Sequence, residues 1–238
     1  MGIPQHYSLE IPTRCLRLLD LTRRSVTDDT EERFGGPLTT TMMLALATPM
    51  ISLPYERIYK HVGLDGSEGY ADDRTLNTPF AEKLDAEINK AALKENRYFG
   101  ALGWSFMKDV KVFNIAKRLP DDLADRLSTN EAANHAQAMS LAQFIACIRN
   151  ALAHGGIMYL DENGRSSEGT AATLLFVSAK QRWPDPVFDE KKRKCISARP
   201  ITESLRLLRI PEAEFRTFLE GWVEWLNDLG VLEDFRRS

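Results

Sequence analysis

The sequence predicts a mainly α protein, in which a helical bundle is followed by a small antiparallel β-sheet and a C-terminal helix. Apolar residues recur at helical spacing through the first two-thirds of the chain, and the segment 129–154 contains neither glycine nor proline. After Gly155 and Gly156 the pattern changes to short strand-like runs separated by turn residues. We therefore predict a helical bundle over 1–155 and a sheet plus terminal helix over 156–238, packed as an extension of the same domain.

Four segments before residue 121 have the apolar spacing and the end signals of helices. Proline is favoured in the first turn of a helix, and it opens or nearly opens three of them. The fourth places Phe106, Val110 and Phe113 on one stripe, while the polar stretch 67–77 predicts a loop. The four segments are PTRCLRLLDLTRRS (12–25), PLTTTMMLALATP (37–49), TPFAEKLDAEINKAALKENRYFG (78–100) and SFMKDVKVFNIAKRLP (105–120).

The longest predicted helix, 129–154, has two different faces. One is an apolar stripe that faces the core, and the opposite arc holds small residues with a few polar ones. Small side chains let another helix approach closely, so the arc predicts a second contact surface. Its partner is either another helix of the chain or the same helix of a second copy in a two-fold dimer. The stripe consists of Leu141, Ile145, Ile148 and Leu152.

The last third of the chain predicts strands and a closing helix. The runs IMYL (157–160) and TAATLLFVSA (170–179) are strand-like and flank a turn-rich connection, and KCISARPIT (194–202) is a candidate third strand. Residues 211–230 have a wide apolar stripe at helical spacing. We assign the tryptophans of that stripe to the core rather than to base stacking.

Composition excludes several classes of function. The 238 residues carry a formal net charge of −3, so no overall basic field for binding nucleic acid is present, and any RNA contact must be local. The three cysteines fit neither a disulfide framework nor a zinc site, and we expect no metal and no cofactor. No secretory signal and no membrane-spanning run is evident, so we expect a cytoplasmic protein.

The segment RNALAHG places an arginine, an asparagine and a histidine at the end of the longest helix. Asn150 and His154 lie four residues apart and share a helix face, and the long side chain of Arg149 can bend towards them. In a chain of this composition an Arg with a His five positions later is expected by chance roughly 0.3 times, and requiring Asn after the Arg lowers this to about 0.01. The triplet is therefore the leading candidate site, ahead of Asp72 and Asp73 in a polar stretch.

This motif resembles the signature of the HEPN superfamily, an arginine followed by four to six residues and a histidine. The resemblance implies a bundle of four to five helices that dimerises, here through the 129–154 helix, so that two copies of the motif converge. It implies Arg149 and His154 as a catalytic pair with Asn150 as helper. One branch of the family has a tyrosine two residues after the histidine that a partner enzyme modifies, but this chain has Gly156 there.

Many members are metal-independent endoribonucleases that act as toxins or in phage defence, often with an antitoxin or regulatory partner. The resemblance therefore implies cleavage of RNA through its 2′-hydroxyl, with an imidazole for proton transfer and a guanidinium for the phosphate. Two alternatives stay open: a non-catalytic module that binds a nucleotide, RNA or a partner, and a structural role in which Arg149 and His154 cap the helix and stabilise a dimer. A Cys147–His154 nucleophilic pair is weaker, because a small buried thiol explains Cys147.

Overall fold

The computed structural model describes residues 3–4, 6–28, 37–59, 78–167, 169–185, 187–189, 194–196 and 199–230. The α-helices in this part of the chain are α1 (Tyr7–Asp28), α2 (Thr39–Arg57), α3 (Thr78–Lys90), α4 (Asp121–Leu127), α5 (Asn130–Gln137), α6 (Leu141–His154) and α7 (Glu212–Asp228), and Leu93–Glu95 forms a short 3₁₀ helix. The strands are β1 (Ser105–Val110), β2 (Ile157–Leu160), β3 (Thr173–Arg182), β4 (Val187–Asp189), β5 (Lys194–Ile196) and β6 (Ile201–Pro211).

Four of the strands form one antiparallel sheet in the order β1-β6-β3-β2. Strand β6 is central, because it pairs with β1 on one side and with the full length of β3 on the other. Strand β2 pairs only with Thr173–Phe176 of β3, so β3 continues past the end of its outer neighbour. Strands β4 and β5 pair separately with each other.

The sheet is buried on both faces. On one face it packs against helices from both ends of the chain in a helix-side core, whose centre is a group of aromatic rings. On the other face it packs against α4 and the segment after β1 in an α4-side core. The aromatic group contains Phe99, Trp104, Phe144, Phe218, Trp222 and Trp225, so the tryptophans of α7 lie in the core as predicted.

The helix predicted over 105–120 is wrong, because Ser105–Val110 is strand β1. Phe106 belongs to the helix-side core and Met107 to the α4-side core, so neighbouring apolar side chains point to opposite faces. A strand that is buried on both faces lacks the alternation of apolar and polar residues that identifies a half-buried strand. The Phe106–Val110–Phe113 stripe is therefore not a helix face.

The single helix predicted over 129–154 is two helices, α5 and α6. Ser140 interrupts the segment and caps α6, accepting a hydrogen bond from the Gln143 backbone N–H at 3.2 Å. The backbone at the break bonds to another segment, because the Leu93 N–H donates to the Met139 carbonyl at 2.8 Å and the Leu141 N–H to the Ala91 carbonyl at 3.0 Å. The Ser-x-x-Gln pattern at 140–143 is a helix-start signal.

The ends of other helices also differ from the predictions. Helix α1 begins at Tyr7, ahead of Pro12, and α2 continues through Pro49 to Arg57 although proline removes a helical hydrogen bond. In α2 the residues after Pro49 are packed in the core, with Met50 and Ile51 almost fully buried. Tertiary packing therefore outweighs the helix-breaking signal.

The sheet is larger than predicted and does not lie wholly after residue 155. Its central strand, β6, begins where the candidate third strand ends, and β1 comes from the part predicted to be helical. The helix-side core combines residues on both sides of that boundary, such as Phe144 and Trp222. The loop predicted over 67–77, with Asp72 and Asp73, lies outside the described residues. No helix in the described ranges is both long and apolar enough to cross a bilayer.

Candidate functional site

The C-terminal end of α6 is held against the sheet by two glycines. Gly155 adopts the left-handed conformation with φ 68°, which ends the helix without the steric cost that other residues meet there. The Gly156 N–H donates to the Ala151 carbonyl at 2.8 Å, and the Gly156 carbonyl accepts from the Val177 N–H at 2.7 Å. The last turn of α6 is therefore attached directly to β3 where β2 begins.

Arg149 is largely enclosed, with 15% of its side chain exposed. Its guanidinium forms an ion pair with Glu56 at the end of α2, donates a hydrogen bond to the Asn150 side-chain oxygen, and lies 5.3 Å from the centre of the Tyr55 ring. Burial raises the pKa of the Tyr55 phenol, and the Arg149 charge opposes part of that rise. Arg149 is thus held in place by α2 and by its own neighbour.

His154 is the most accessible of the three motif residues. The His154 side chain is exposed at the helix end, whereas Asn150 is half-buried and its oxygen is engaged by Arg149. In this arrangement Asn150 orients the guanidinium rather than the imidazole. Asn150, the predicted helper, therefore contacts Arg149 rather than His154.

All three motif residues line one cavity of about 470 Å³. We call the lining residues from the free end of β3 and from β6 the floor of the cavity, and the apolar lining residues from the segment after β1 the Phe113 wall. A second cavity of about the same volume lies elsewhere, and the residues described around it include no cationic side chain. The first cavity is lined by Val112, Phe113, Ile115, Arg149, Asn150, His154, Gly156, Val177, Ser178, Ala179, Gln181, Thr202 and Leu205.

Cys147 does not take part in this site. Its thiol is buried against β3, where the Ser178 hydroxyl lies 3.5 Å from the sulfur. Burial raises the pKa of the Cys147 thiol, and the Ser178 hydrogen bond and the Arg206 charge offset only part of that effect. A nucleophilic thiol needs a lowered pKa and access, so a small buried thiol describes Cys147 better than a Cys–His pair does. Cys147 belongs to the arc of small residues on α6, and at this position the arc packs against strand β3 of the same chain.

The chain was compared with models of protein families. A model described as HEPN pEK499 p136 matches residues 1–229. The chain belongs to this HEPN family. No curated protein and no solved structure matches the chain.

The HEPN match covers more of the chain than the sequence resemblance did. It extends past residue 155 through the sheet and α7, so the part predicted as an extension lies within the family model. Position 156, where one HEPN branch has tyrosine, has no room for a side chain here, because a Cβ on Gly156 would overlap the Val177 carbonyl oxygen. The glycine is thus a structural requirement of the connection between α6 and β2.

Sequence reasoning missed Glu56 and Tyr55, the partners of Arg149 in this HEPN protein. Both lie near the C-terminal end of α2, and nothing in their local sequence connects them with a motif on α6. The Pro49 stop signal placed this part of the chain outside any predicted helix. In the ranges that the structure describes, no group of three or more histidine, cysteine, aspartate and glutamate side chains is arranged to hold a metal ion.

Proposed function

We propose that this protein is a HEPN-type endoribonuclease that cleaves RNA through its 2′-hydroxyl without a metal ion. The observation that carries the proposal is that Arg149, Asn150 and His154 line one solvent-open cavity, with the imidazole exposed. A cation for phosphate and an imidazole for proton transfer are the groups that this reaction needs. We infer a role as a toxin or defence RNase, with an antitoxin or regulatory partner, from the family alone.

In the proposed reaction the substrate supplies its own nucleophile. The 2′-oxygen loses its proton to a base and attacks the adjacent phosphorus, and the bond to the 5′-oxygen of the next nucleotide breaks. The leaving oxygen takes up a proton, so the products are a 2′,3′-cyclic phosphate and a 5′-hydroxyl, and no water is consumed. His154 takes or gives the proton, and proton transfer of this kind contributes about 10²–10⁴-fold to the rate.

Arg149 stabilises the charge on the phosphate oxygens as the bonds change. A guanidinium has five N–H donors, and the contacts with Glu56 and Asn150 engage two of them. These contacts, with the Tyr55 ring, fix the plane of the guanidinium before the substrate arrives. A preorganised donor costs no reorganisation during the reaction, which is why such groups contribute strongly to catalysis.

We further propose that α1, α2, α3 and α6 correspond to the helical bundle typical of HEPN proteins, and that two copies pair through α6. The side of α6 that packs neither into the core nor against β3 is a narrow strip of partly or fully exposed residues. In a two-fold dimer the part of this strip around Gln143 and Ala146 contacts itself, and the Asn150 and His154 end lies at the edge of the contact, so that the two cavities lie near each other. The strip consists of Gln143, Ala146, Asn150, Ala153 and His154.

Removing the imidazole tests the nuclease. Purified protein is incubated with RNA in excess EDTA, and we expect cleavage with cyclic phosphate and 5′-hydroxyl ends. His154→Ala should lower the rate by about 10²–10⁴-fold. His135→Ala is the matched control, because His135 is an exposed histidine on α5 outside the cavity. If both variants cut as fast as the wild type, or if EDTA stops the reaction, the proposal is wrong.

The alternative is a non-catalytic module that binds a nucleotide, RNA or a partner. The formal net charge of −3 favours it, because the chain has no overall basic field for holding RNA. In that case Arg149 binds phosphate and His154 shapes the site. Binding of RNA by the wild type, without any product over long incubation and with loss of binding in Arg149→Ala, would support this function over the nuclease.

A further inference from the structure

The Phe113 wall of the cavity differs in chemistry from the side formed by α6. Arg149, Asn150 and His154 are polar, whereas the segment after β1 presents Phe113 with aliphatic side chains on either side. A nucleotide has the same division, with a charged phosphate at one end and a flat, apolar base face at the other. A cavity of about 470 Å³ is within the range typical of small-ligand sites, roughly 300–1,000 Å³.

A β-bulge directs the segment after β1 towards the cavity. The pairing of β1 with β6 shifts register between Met107 and Val110, and Asp109 adopts a left-handed conformation with φ 54°. Two neighbours hold the Asp109 carboxylate: the Ser204 hydroxyl donates to it at 3.4 Å and the Lys180 ammonium lies 3.8 Å away. Bulges re-aim side chains and are frequent beside functional sites.

The segment itself is well held. The Asn114 side-chain oxygen accepts from the Ala116 N–H and its carbonyl accepts from the Lys117 N–H, both at 3.0 Å, which makes a tight turn. Phe113 and Ile115 are half-buried and also pack against the α4-side core. The Phe113 ring is therefore a fixed part of the cavity wall.

The floor between the two walls has backbone groups on an open edge. Strand β3 continues beyond its pairing with β2. The Val177 N–H donates to the Gly156 carbonyl, and no strand in the described residues pairs with the edge from Ser178 to Arg182. Ala179 and Gln181 of this edge line the cavity. Unpaired N–H and C=O groups at a strand edge can hydrogen-bond the edge of a base, as they do another strand.

We propose that this wall and floor form a base-binding subsite, in which a nucleobase stacks on Phe113 while an adjacent phosphate lies at Arg149 and His154. The inference rests on the proposed function for the phosphate position, but the base contact does not require cleavage. Aromatic side chains commonly stack the unpaired bases of single-stranded RNA. The substrate class is therefore RNA with an unstacked nucleotide at the cut site.

Binding of nucleoside 3′,5′-bisphosphates, which have no phosphodiester to cut, tests the subsite by calorimetry. Stacking on an aromatic ring contributes about 1–3 kcal/mol per base, so Phe113→Ala should raise the Kd by roughly 5- to 150-fold, and Phe113→Tyr should restore binding. Ribose 5-phosphate, which lacks the base, should bind Phe113→Ala and the wild type equally. The exposed Tyr159 lies outside the cavity, so Tyr159→Ala is the control and should leave the Kd unchanged.

The outcomes separate this inference from the nuclease. If the wild type binds no bisphosphate, or if Phe113→Ala lowers bisphosphate and ribose phosphate binding alike, the base subsite is wrong. If RNA is cleaved but Phe113→Ala leaves both KM and bisphosphate binding unchanged, the proposed nuclease is supported and the base-binding subsite is wrong. If bisphosphate binding depends on Phe113 and no RNA is cleaved, the base-binding subsite is supported and the proposed nuclease is wrong.

Discussion

Gly155 and Gly156 are adjacent, and the structure predicts that alanine is tolerated much better at the first than at the second. A Cβ at Gly155 meets no atom within 4 Å, so the only cost is the left-handed backbone at φ 68°. That cost is about 1–2 kcal/mol, and the reduced freedom of the unfolded chain offsets roughly 0.4–1 kcal/mol of it. We therefore expect Gly155→Ala to lower the free energy of unfolding by about 1 kcal/mol.

Alanine at position 156 would clash with the backbone of β3. Its Cβ would lie 3.2 Å from the Val177 carbonyl carbon and would overlap the attached oxygen, and both belong to the backbone of a paired strand. Either α6 or β3 must move, which costs about 1–3 kcal/mol for overpacking. The Val177–Gly156 hydrogen bond is lost or stretched at a further cost of about 0.5–1.5 kcal/mol. The expected loss is about 2–4 kcal/mol.

Urea unfolding followed by tryptophan fluorescence measures the difference, since Trp104 and Trp222 are buried in the helix-side core. At about 2–4 °C per kcal/mol for a chain of this size, Gly156→Ala should melt several degrees below Gly155→Ala. An equal or larger loss in Gly155→Ala would show that the contact between the end of α6 and β3 is not as described.

Two further predictions concern the motif and the dimer. Glu56→Gln should lower the free energy of unfolding by about 1–2 kcal/mol, because its partner Arg149 is largely enclosed. The control Glu220→Gln removes an i,i+4 ion pair with Arg216 on α7 and should lower the free energy of unfolding by only about 0.3–0.5 kcal/mol. Equal losses in urea titrations of the two variants would contradict a special role for the Glu56 contact. By light scattering the wild type should have the mass of two chains, and Ala146→Glu should have the mass of one. The matched change Ala45→Glu on the exposed side of α2 should leave the mass unchanged, and a monomeric wild type would exclude pairing through α6.

The helix that carries the motif was predictable because its signals are local. The stripe through Leu141 and Ile148 repeats at helical spacing and is buried, and the Gly155–Gly156 pair ends the helix where predicted. Only Ser140, whose side chain starts a new helix, was overlooked within this segment. Local periodicity and capping are properties that neighbouring residues determine among themselves.

The sheet and the partners of the motif were less predictable because distant residues determine them. Strand β1 exists because β6 pairs with it, and its sequence carries no alternating pattern, because Phe106 and Met107 are both buried, on opposite faces of the sheet. Glu56 reaches Arg149 only after α2 packs against α6. Phe113 lines the cavity from the segment that follows the bulge at Asp109. Each of these positions is set by contacts between elements far apart in sequence.

The same strand connects both walls of the cavity. The Val177 N–H of strand β3 donates to the Gly156 carbonyl at the end of α6, and two residues later along the same strand Ala179 lies on the cavity floor. Lys180, the next residue, holds the Asp109 bulge that directs the apolar wall. A change in the register of β3 by one residue would turn these side chains to the opposite face. The sheet therefore sets the distance between the polar motif and the Phe113 wall. A site that contains both the motif and this wall needs residues from both sides of position 155.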